Sequence, residues 1–178
     1  MKWEFFIKKL LEWNKVHNLS GVRTKEEVLK NIQDSLKPLE FLPKKEFKNG
    51  LDIGTGAGFP GLILAMEMPT THWYLVEPRR KRVAFLNYIK TALGLENVTI
   101  IPNRLEEIEP FKVDLITSRA VTSTPTLLKM AKPFAHLSTT FLLYKGEKVT
   151  NELEGIENFK LFPSGKRNYL IIEGLKGV

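Results

Sequence analysis

The sequence predicts a doubly wound α/β fold, in which helices cover both faces of a mostly parallel sheet and an antiparallel hairpin completes it. Short apolar runs alternate with helical stretches from Leu51 onwards, a pattern typical of successive βα units. A glycine-rich segment follows the first apolar run, as in strand-to-helix turns that hold ligands. The last two apolar runs, Phe159–Phe162 and Tyr169–Ile172, are joined by a turn at 163–165, which favours a hairpin over a crossover.

The first 48 residues precede this alternation and are predicted to be mainly helical. Thr24 and Glu27 have the spacing of a capping box, which marks the start of a second helix. The length suits one domain, so we expect residues 1–178 to fold as a unit, with a helical extension (1–48) and a core (49–178). The apolar positions of the two helices are Trp3, Phe6, Ile7, Leu10 and Leu11, then Val28, Leu29, Ile32 and Leu36.

Seven strands are predicted in the core, the two strands of the hairpin included. The clearest helix between them runs from Arg79 to Leu93, because Gly94 supplies a stop signal. Another helix is expected to begin near Pro60, after the glycine-rich segment. The five strands before the hairpin are predicted at Leu51–Ile53, His72–Val76, Asn97–Ile101, Val113–Thr117 and Thr139–Lys145.

Composition excludes several kinds of chemistry. The chain contains no cysteine, which excludes disulfides, thiolate metal sites and a cysteine nucleophile. Its three histidines are scattered without ligand spacing, so no metal is expected. The longest uncharged stretch, residues 53–66, contains four glycines and one proline and is too short and broken to cross a bilayer. With no signal-peptide pattern at the start, we expect a cytoplasmic protein without membrane contact.

The glycine-rich segment, Asp52 to Gly61, is predicted to bind a nucleotide-like ligand. Glycines at 56, 58 and 61 satisfy G-x-G-x-x-G, so a dinucleotide is one interpretation. The segment also has the pattern D-x-G-x-G-x-G, which resembles the doubly wound methyltransferases that use S-adenosylmethionine, and the terminal hairpin favours that class. Glu77 ends the second predicted strand, where a carboxylate accepts ribose hydroxyls. The cofactor contacts predicted here are Asp52, Gly54, Gly56, Gly58 and Glu77.

The sequence also narrows the methyl acceptor. Attack at carbon 5 of a pyrimidine in RNA generally proceeds through a cysteine adduct, and the chain has no cysteine. Amino-group methylation commonly uses an Asn/Asp-Pro-Pro-aromatic turn after the fourth strand, where this chain has Thr117-Ser118-Arg119-Ala120. A ring nitrogen with a free lone pair, such as the 7-position of guanine, needs no general base and can react by alignment alone.

Segments along nearly the whole chain carry a family resemblance: Trp13–Ser20 with Arg23, Asp34–Leu36, Asp52–Gly61, Lys81-Arg82, Asn103–Glu107 and Ser118–Ala120. In these segments the chain resembles the RsmG (GidB) family, whose members methylate the 7-position of a guanine in 16S ribosomal RNA. The resemblance implies a seven-stranded, Rossmann-like methyltransferase sheet and S-adenosylmethionine as cofactor. It also implies 16S ribosomal RNA or the small ribosomal subunit as partner, and we expect a monomer.

The resemblance also assigns site residues by position. The family's cofactor contacts fall on Gly54, Phe59, Leu105, Glu106 and Arg119. Arg119 ends the fourth strand, where it could hold the cofactor carboxylate or an RNA phosphate, and it is a candidate catalytic residue for positioning. Lys145, at the end of the fifth strand, is a second candidate, with strand-edge solubility as its alternative. Where the family often has a histidine this chain has Asn31, so no catalytic histidine is predicted there.

The net charge of +7 indicates a polyanionic partner, with the excess of cations in the flanks rather than in residues 51–110. Four successive cations lie at the start of a helix, where the macrodipole disfavours positive charge, and a phosphate partner would offset that cost. A solvated helix face is the alternative. The RNA contacts predicted are Arg23, Arg79, Arg80, Lys81 and Arg82. The other functions left open are an NAD(P)-dependent oxidoreductase and a non-catalytic RNA-binding module.

Overall fold

Seven strands form one sheet in the computed structural model, which describes residues 1–174. The strands are β1 (Asn49–Ile53), β2 (His72–Val76), β3 (Val98–Ile101), β4 (Val113–Arg119), β5 (Ala135–Lys145), β6 (Phe159–Ser164) and β7 (Arg167–Glu173). All seven predicted strands are present, and the predicted fold class is confirmed. The largest error is at β5, which begins at Ala135 rather than Thr139, beside an irregular register with β4.

Within residues 1–174, five α-helices accompany the sheet. They are α1 (Lys2–His17), α2 (Lys25–Leu36), α3 (Gly61–Glu67), α4 (Arg80–Leu93) and α5 (Thr124–Ala131). The capping box predicted from Thr24 and Glu27 is present at the start of α2, and Gly94 ends α4 with a φ of 61°. Residues 18–24 form a turn between α1 and α2, because the Asn14 carboxamide bonds the Ser20 amide and the Val22 carbonyl there. None of the helices in residues 1–174 is long and apolar enough to span a bilayer.

The strand order β3-β2-β1-β4-β5-β7-β6 places β1 and β4 at the centre. β1 to β5 are parallel, whereas β7 is antiparallel to both β5 and β6. The order reverses between β1 and β4, and crevices at such a switch point are where doubly wound sheets bind ligands. β7 pairs Asn168 with Lys145, the last residue of β5, so the β6–β7 turn also lies at the carboxyl edge of the parallel strands.

The two amino-terminal helices share a hydrophobic core with the sheet. Phe6 and Leu10 of α1 and Val28 of α2 belong to the same buried cluster as Leu62 of α3 and Trp73 of β2. Burial of such side chains contributes about 1.5–3 kcal/mol each, so α1 and α2 are held on the sheet by apolar packing.

The buried face of α2 differs from the predicted apolar stripe. Leu29 is exposed, and Ser35 is buried together with Val28 and Ile32. Ser35 tolerates burial because its hydroxyl donates to the Asn31 carbonyl within the helix. This places the polar side of α2 toward the carboxyl edge of the sheet, near the candidate site.

Candidate active site

Asp52, in β1, holds the glycine loop (residues 54–60) in place through hydrogen bonds to both neighbouring elements. Its carboxylate accepts hydrogen bonds from the Gly61 amide at 2.8 Å and from the Thr117 hydroxyl of β4 at 2.7 Å. A Cβ at Gly61 would lie 2.5 Å from the Asp52 Cβ, so α3 can start this close only with glycine. Asp52 is fully buried, and burial raises the pKa of its carboxyl to about 6. The side chain therefore ties β1, β4 and α3 together beneath the loop.

The loop itself is shaped by glycines in the left-handed region. The φ angles of Gly54 and Gly56 are 68° and 61°, values that side-chain-bearing residues rarely adopt. A Cβ on Gly54 would lie 2.8 Å from the Val121 side chain. The loop backbone therefore passes close to the segment after β4, and a larger residue at position 54 would enter the space between them.

Glu77 follows β2 and is fixed between the glycine loop and the start of α4. It is 2% exposed, and its Oε2 and Oε1 accept hydrogen bonds from the amides of Gly56 (3.0 Å) and Arg79 (2.9 Å). Arg82 Nη1 lies 3.5 Å from Oε2. A carboxylate oxygen accepts up to two hydrogen bonds, so Oε1 keeps capacity for a ligand hydroxyl.

A cavity of about 500 Å³ lies above these residues, at the carboxyl ends of β1, β2 and β4. Glu77 supplies an acceptor for sugar hydroxyls, Phe59 and Leu105 supply apolar surface for a base, and Arg82 and Arg119 supply cations for a carboxylate. S-adenosylmethionine contains a ribose, an adenine and a carboxylate, and it also carries a sulfonium methyl. The residues present therefore fit the predicted cofactor.

Arg119, the last residue of β4, forms part of the cavity wall. Its guanidinium lies 5.1 Å from the Phe59 ring centroid, and Nη1 donates to Asn31 Oδ1 at 3.0 Å. The same nitrogen is 3.4 Å from an oxygen of Asp34, also on α2. Burial lowers the pKa of Arg119, but arginine keeps its charge at physiological pH. The position that lacks the family's histidine thus holds an asparagine that orients this arginine.

A row of side chains from three neighbouring strands holds α2 over the sheet. Register pairs Arg119 with Tyr144 of β5 and Tyr144 with Tyr169 of β7. The Tyr144 hydroxyl donates to the Ser35 carbonyl at 2.6 Å, and the Tyr169 hydroxyl donates to Asp34 at 2.9 Å. Burial and the adjacent carboxylate raise the pKa of Tyr169 above its usual value. Both tyrosines are therefore protonated donors, and α2 is fixed at the carboxyl edge.

The other predicted cofactor and catalytic residues lie in different surroundings. Leu105 lines the cavity, whereas Glu106 is exposed beside it. Gly58 packs against α3, since a Cβ there would lie 2.9 Å from the Leu62 side chain. Lys145 donates to the carbonyl of residue 122 at 3.0 Å and pairs with Glu152 at 2.7 Å, which orders the segment before α5. The cavity lining does not include Asp52, Gly58, Glu106 or Lys145. The roles assigned to these four residues stay predictions.

The predicted RNA contacts separate into two groups. Arg80 and Lys81 are exposed at the start of α4, and Arg79 is exposed at the cavity rim. Arg82 points inward, where it donates to the Leu19 carbonyl at 2.9 Å and lines the cavity beside Glu77. Arg23 donates to Asn18 Oδ1 at 2.9 Å and stabilises the turn after α1. The structure thus brings Arg82 to the cofactor cavity.

Asp34, Arg167 and Tyr169 are among the residues of the site that received no role from the sequence. Asp34 accepts hydrogen bonds from Arg167 and Tyr169 and also contacts Arg119. Asp34 lay in a segment that carries the family resemblance, but its partners are far away in the chain. Only the folded sheet brings Arg167 and Tyr169 to α2.

Comparison with known proteins gives a consistent result. The family model described as GidB, rRNA small subunit methyltransferase G, matches residues 1–171. A ribosomal RNA small subunit methyltransferase G of Aliarcobacter butzleri is 48% identical over 174 residues, covering 97% of this chain and 89% of its own length. The protein of the same name from Wolinella succinogenes is 51% identical over 166 residues, covering 93% and 85%.

Among solved structures, a SAM-dependent methyltransferase from Aquifex aeolicus superimposes with a TM-score of 0.63. The match covers 78% of this chain and 87% of that chain, at 22% sequence identity. At this identity the similarity shows the fold alone, and the fold agrees with the strand order described above.

Proposed function

Because the chain belongs to the rRNA small subunit methyltransferase G (GidB) family, we propose that it methylates the 7-position of a guanine in 16S ribosomal RNA with S-adenosylmethionine as donor. The observation that carries the proposal is the cavity at the switch point of the sheet, where Glu77 and the glycine loop face Arg119. The 7-position is the finer part of the proposal, and it rests on the acceptor chemistry and on the family resemblance.

Different residues of the cavity lining suit different parts of the cofactor. When bound, S-adenosylmethionine supplies an electrophilic methyl group on its sulfonium sulfur. Glu77 would accept the ribose hydroxyls, and Phe59 and Leu105 would enclose the adenine. Arg82 and Arg119 are cations available to the carboxylate, and Arg79 lies at the rim of the same cavity. The glycine loop lets the backbone approach the amino-acid part of the cofactor closely.

The acceptor needs alignment rather than proton removal, because the guanine 7-nitrogen already carries a free lone pair. The two aspartates near the cavity are consistent with a reaction that needs no general base. Asp52 is buried beneath the loop and Asp34 is bonded to two arginines and a tyrosine, so both are engaged in structural contacts. We assign Arg119 the role of positioning the substrate at the cavity, with Asn31 orienting its guanidinium.

Transfer of a labelled methyl group from the cofactor to small ribosomal subunits tests this proposal, with the product nucleoside identified after digestion. The expected product is 7-methylguanosine. Formation of 5-methylcytosine, or binding of S-adenosylhomocysteine without any transfer to subunits or to naked 16S ribosomal RNA, would contradict it. Equilibrium titration with NADH tests the alternative that the protein is an NAD(P)-dependent oxidoreductase, and we expect no binding.

The proposed setting is the cytoplasm, where a ribosomal substrate is available, and the proposed oligomeric state is a monomer. We also keep the interpretation of residues 1–178 as one domain, supported by the core that α1 and α2 share with the sheet. A single cooperative unfolding transition, together with the monomer mass by sedimentation, is the expected result.

A further inference from the structure

A second cavity, of about 860 Å³, lies between α2 and the β6–β7 hairpin. We call it the α2–hairpin groove and define it by Lys30, Asn31, Asp34 and Lys37 on one side and by residues 164–167 on the other. Gly21 lines both this groove and the cofactor cavity. The two spaces are therefore neighbours, with Arg119 and its α2 contacts at their boundary.

The groove has walls that are fixed in place. Asp34 accepts two hydrogen bonds from Arg167, from Nε at 2.9 Å and from Nη2 at 3.0 Å, which joins the hairpin to α2 in a bidentate pair. Phe41, which follows α2 by five residues, stacks on Phe162 of β6 with ring centroids 4.1 Å apart, and this links the hairpin to the segment after α2 as well. The groove is thus a preformed feature and not a gap between loosely packed segments.

The α2–hairpin groove has a net positive charge after the ion pairs within its lining are subtracted. Asp34 is neutralised by Arg167 and Arg119. The Glu27 carboxylate also lines the groove and keeps its charge while it accepts backbone hydrogen bonds, so Lys30, Lys37 and Lys166 outnumber it. Lys30 and Lys166 are exposed and have no ion pair among residues 1–174. Among the described residues, the ion pair of Lys37 is with the exposed Glu40, an interaction worth about 0–1 kcal/mol. Three lysines are therefore available to an anionic ligand.

We propose that the α2–hairpin groove binds the RNA strand that flanks the target base, with Lys30, Lys37 and Lys166 contacting its phosphates. The inference rests on the proposed function, because the target base must enter the cofactor cavity and its neighbours must then lie on the adjoining surface. The groove is the cavity next to that entrance, and its free cations suit a phosphate backbone.

The sheet topology adds a second argument. The β6–β7 turn and the start of α4 both lie at the carboxyl edge, on opposite sides of the switch point between β1 and β4. An RNA strand that contacts Lys166 on one side and the exposed Arg80 and Lys81 on the other must cross the mouth of the cofactor cavity. Such a path carries a base past the methyl donor's site.

The test compares the wild-type protein with the double variant Lys30→Gln/Lys166→Gln in binding to a full-length 16S ribosomal RNA transcript at several salt concentrations. The slope of log K against log salt is negative, and each lost phosphate contact makes it about 0.7 less steep, so two lost contacts make it about 1.4 less steep. At roughly 0.1 M salt this corresponds to binding about 25-fold weaker. Glutamine preserves helix propensity at position 30, and S-adenosylhomocysteine affinity should stay within about twofold.

A matched control separates local contact from net charge. Lys8 of α1 and Lys129 of α5 are exposed and lie outside the groove, so Lys8→Gln/Lys129→Gln removes the same charge. The control should keep the wild-type salt slope. Equal slopes for the two double variants would overturn the proposal. Normal binding of Lys30→Gln/Lys166→Gln to the transcript with loss only on assembled subunits would also overturn it, since a ribosomal protein would then be the partner.

The outcome for the groove is distinguishable from the outcome for the proposed function. Binding to RNA is measured without methyl transfer, so an inactive wild-type protein whose salt slope depends on Lys30 and Lys166 would leave the groove assigned and the reaction wrong. An active wild-type protein with unaltered slopes in the double variant would leave the reaction assigned and the groove wrong.

Discussion

The cofactor cavity and the α2–hairpin groove are neighbours, but the chain builds them in different ways. The cavity is formed largely by two short segments, the glycine loop after β1 and Glu77 after β2, whose conformations follow from local residue types. The groove depends on Asp34 and Arg167, which are 133 residues apart in the chain. Those two segments therefore take their shape from the local sequence, although Leu105 and Arg119 complete the cavity from elsewhere in the chain. The groove exists only when the sheet has brought α2 and the hairpin together.

The largest expected effect comes from Gly54→Leu, which would break the cavity and spare the groove. A leucine there requires a φ near 68° and places its Cβ 2.8 Å from Val121. We expect S-adenosylhomocysteine affinity to fall at least about 1,000-fold, which corresponds to about 4 kcal/mol. Isothermal titration measures the affinity. Gly155→Leu is the matched control, because Gly155 also has a positive φ but open space around it, and its variant should bind normally.

Asp52→Asn tests whether the support beneath the loop behaves as a buried acid. Its carboxyl has a folded pKa of about 6, raised from 3.8 by burial, so the folded state holds the proton more tightly than the unfolded state. The stability from this group is fully present below pH 3.8 and is lost as pH rises through about 6. The free energy of unfolding of the wild type relative to Asp52→Asn should fall by about 3 kcal/mol between pH 3.5 and pH 7.

Urea denaturation of both proteins at the two pH values measures this difference, and the other titrating groups cancel in the comparison. An unchanged difference between wild type and variant would mean that the pKa of Asp52 is the same in the folded and unfolded states and that the burial argument is wrong.

Glu77→Gln tests whether the carboxylate after β2 contributes to cofactor binding in the cavity. The change removes the charge, and it turns an amide donor toward the backbone amide of either Gly56 or Arg79. Hydrogen bonds to charged groups contribute about 1.5–3 kcal/mol, so S-adenosylhomocysteine affinity should fall about 10- to 100-fold. Glu109→Gln, at an exposed acid away from the cavity, is the control. Equal affinities for both variants would remove Glu77 from the cofactor site.

The smallest expected effect is that of Asp34→Asn, which loosens the groove and spares the cavity. The change weakens the contacts with Arg167 and Arg119, and the free energy of unfolding should fall by about 1–2 kcal/mol. Affinity for S-adenosylhomocysteine should remain within about twofold, measured by titration alongside thermal unfolding. Glu40→Gln, in the exposed pair with Lys37, should change stability by less than about 0.5 kcal/mol. A tenfold loss of cofactor affinity in Asp34→Asn would show that the two regions are not separable.

The sequence predicted the fold and the cavity because their signals are local. Strand, glycine loop, helix and the acid after the next strand follow one another within residues 51–77, and the resemblance to the RsmG (GidB) family is confirmed by the family match. The predicted fold is confirmed as well, the terminal hairpin included. The apolar pattern does not predict every buried position, because packing in the interior also decides which residues are buried. Ser35 of α2, for example, is buried whereas Leu29 is exposed.

Long-range contacts account for what sequence reasoning did not find. The sequence places Arg82 in a run of four cations, but in the folded protein its guanidinium lies beside Glu77 and donates to the carbonyl of Leu19, a residue far upstream. The sequence predicts Lys145 near the cleft because it ends β5, whereas in the fold its ammonium pairs with Glu152, which follows the strand. The roles assigned to these side chains in RNA binding and catalysis stay predictions.

The separation of the two regions is tested most directly by one paired titration. Gly54→Leu and Lys30→Gln/Lys166→Gln are each titrated with S-adenosylhomocysteine and with the 16S ribosomal RNA transcript under the same conditions. The account predicts that Gly54→Leu loses the cofactor analogue and keeps the RNA, whereas the lysine variant loses RNA affinity and keeps the analogue. Loss of both ligands in both variants, with the fold intact by circular dichroism, would contradict it.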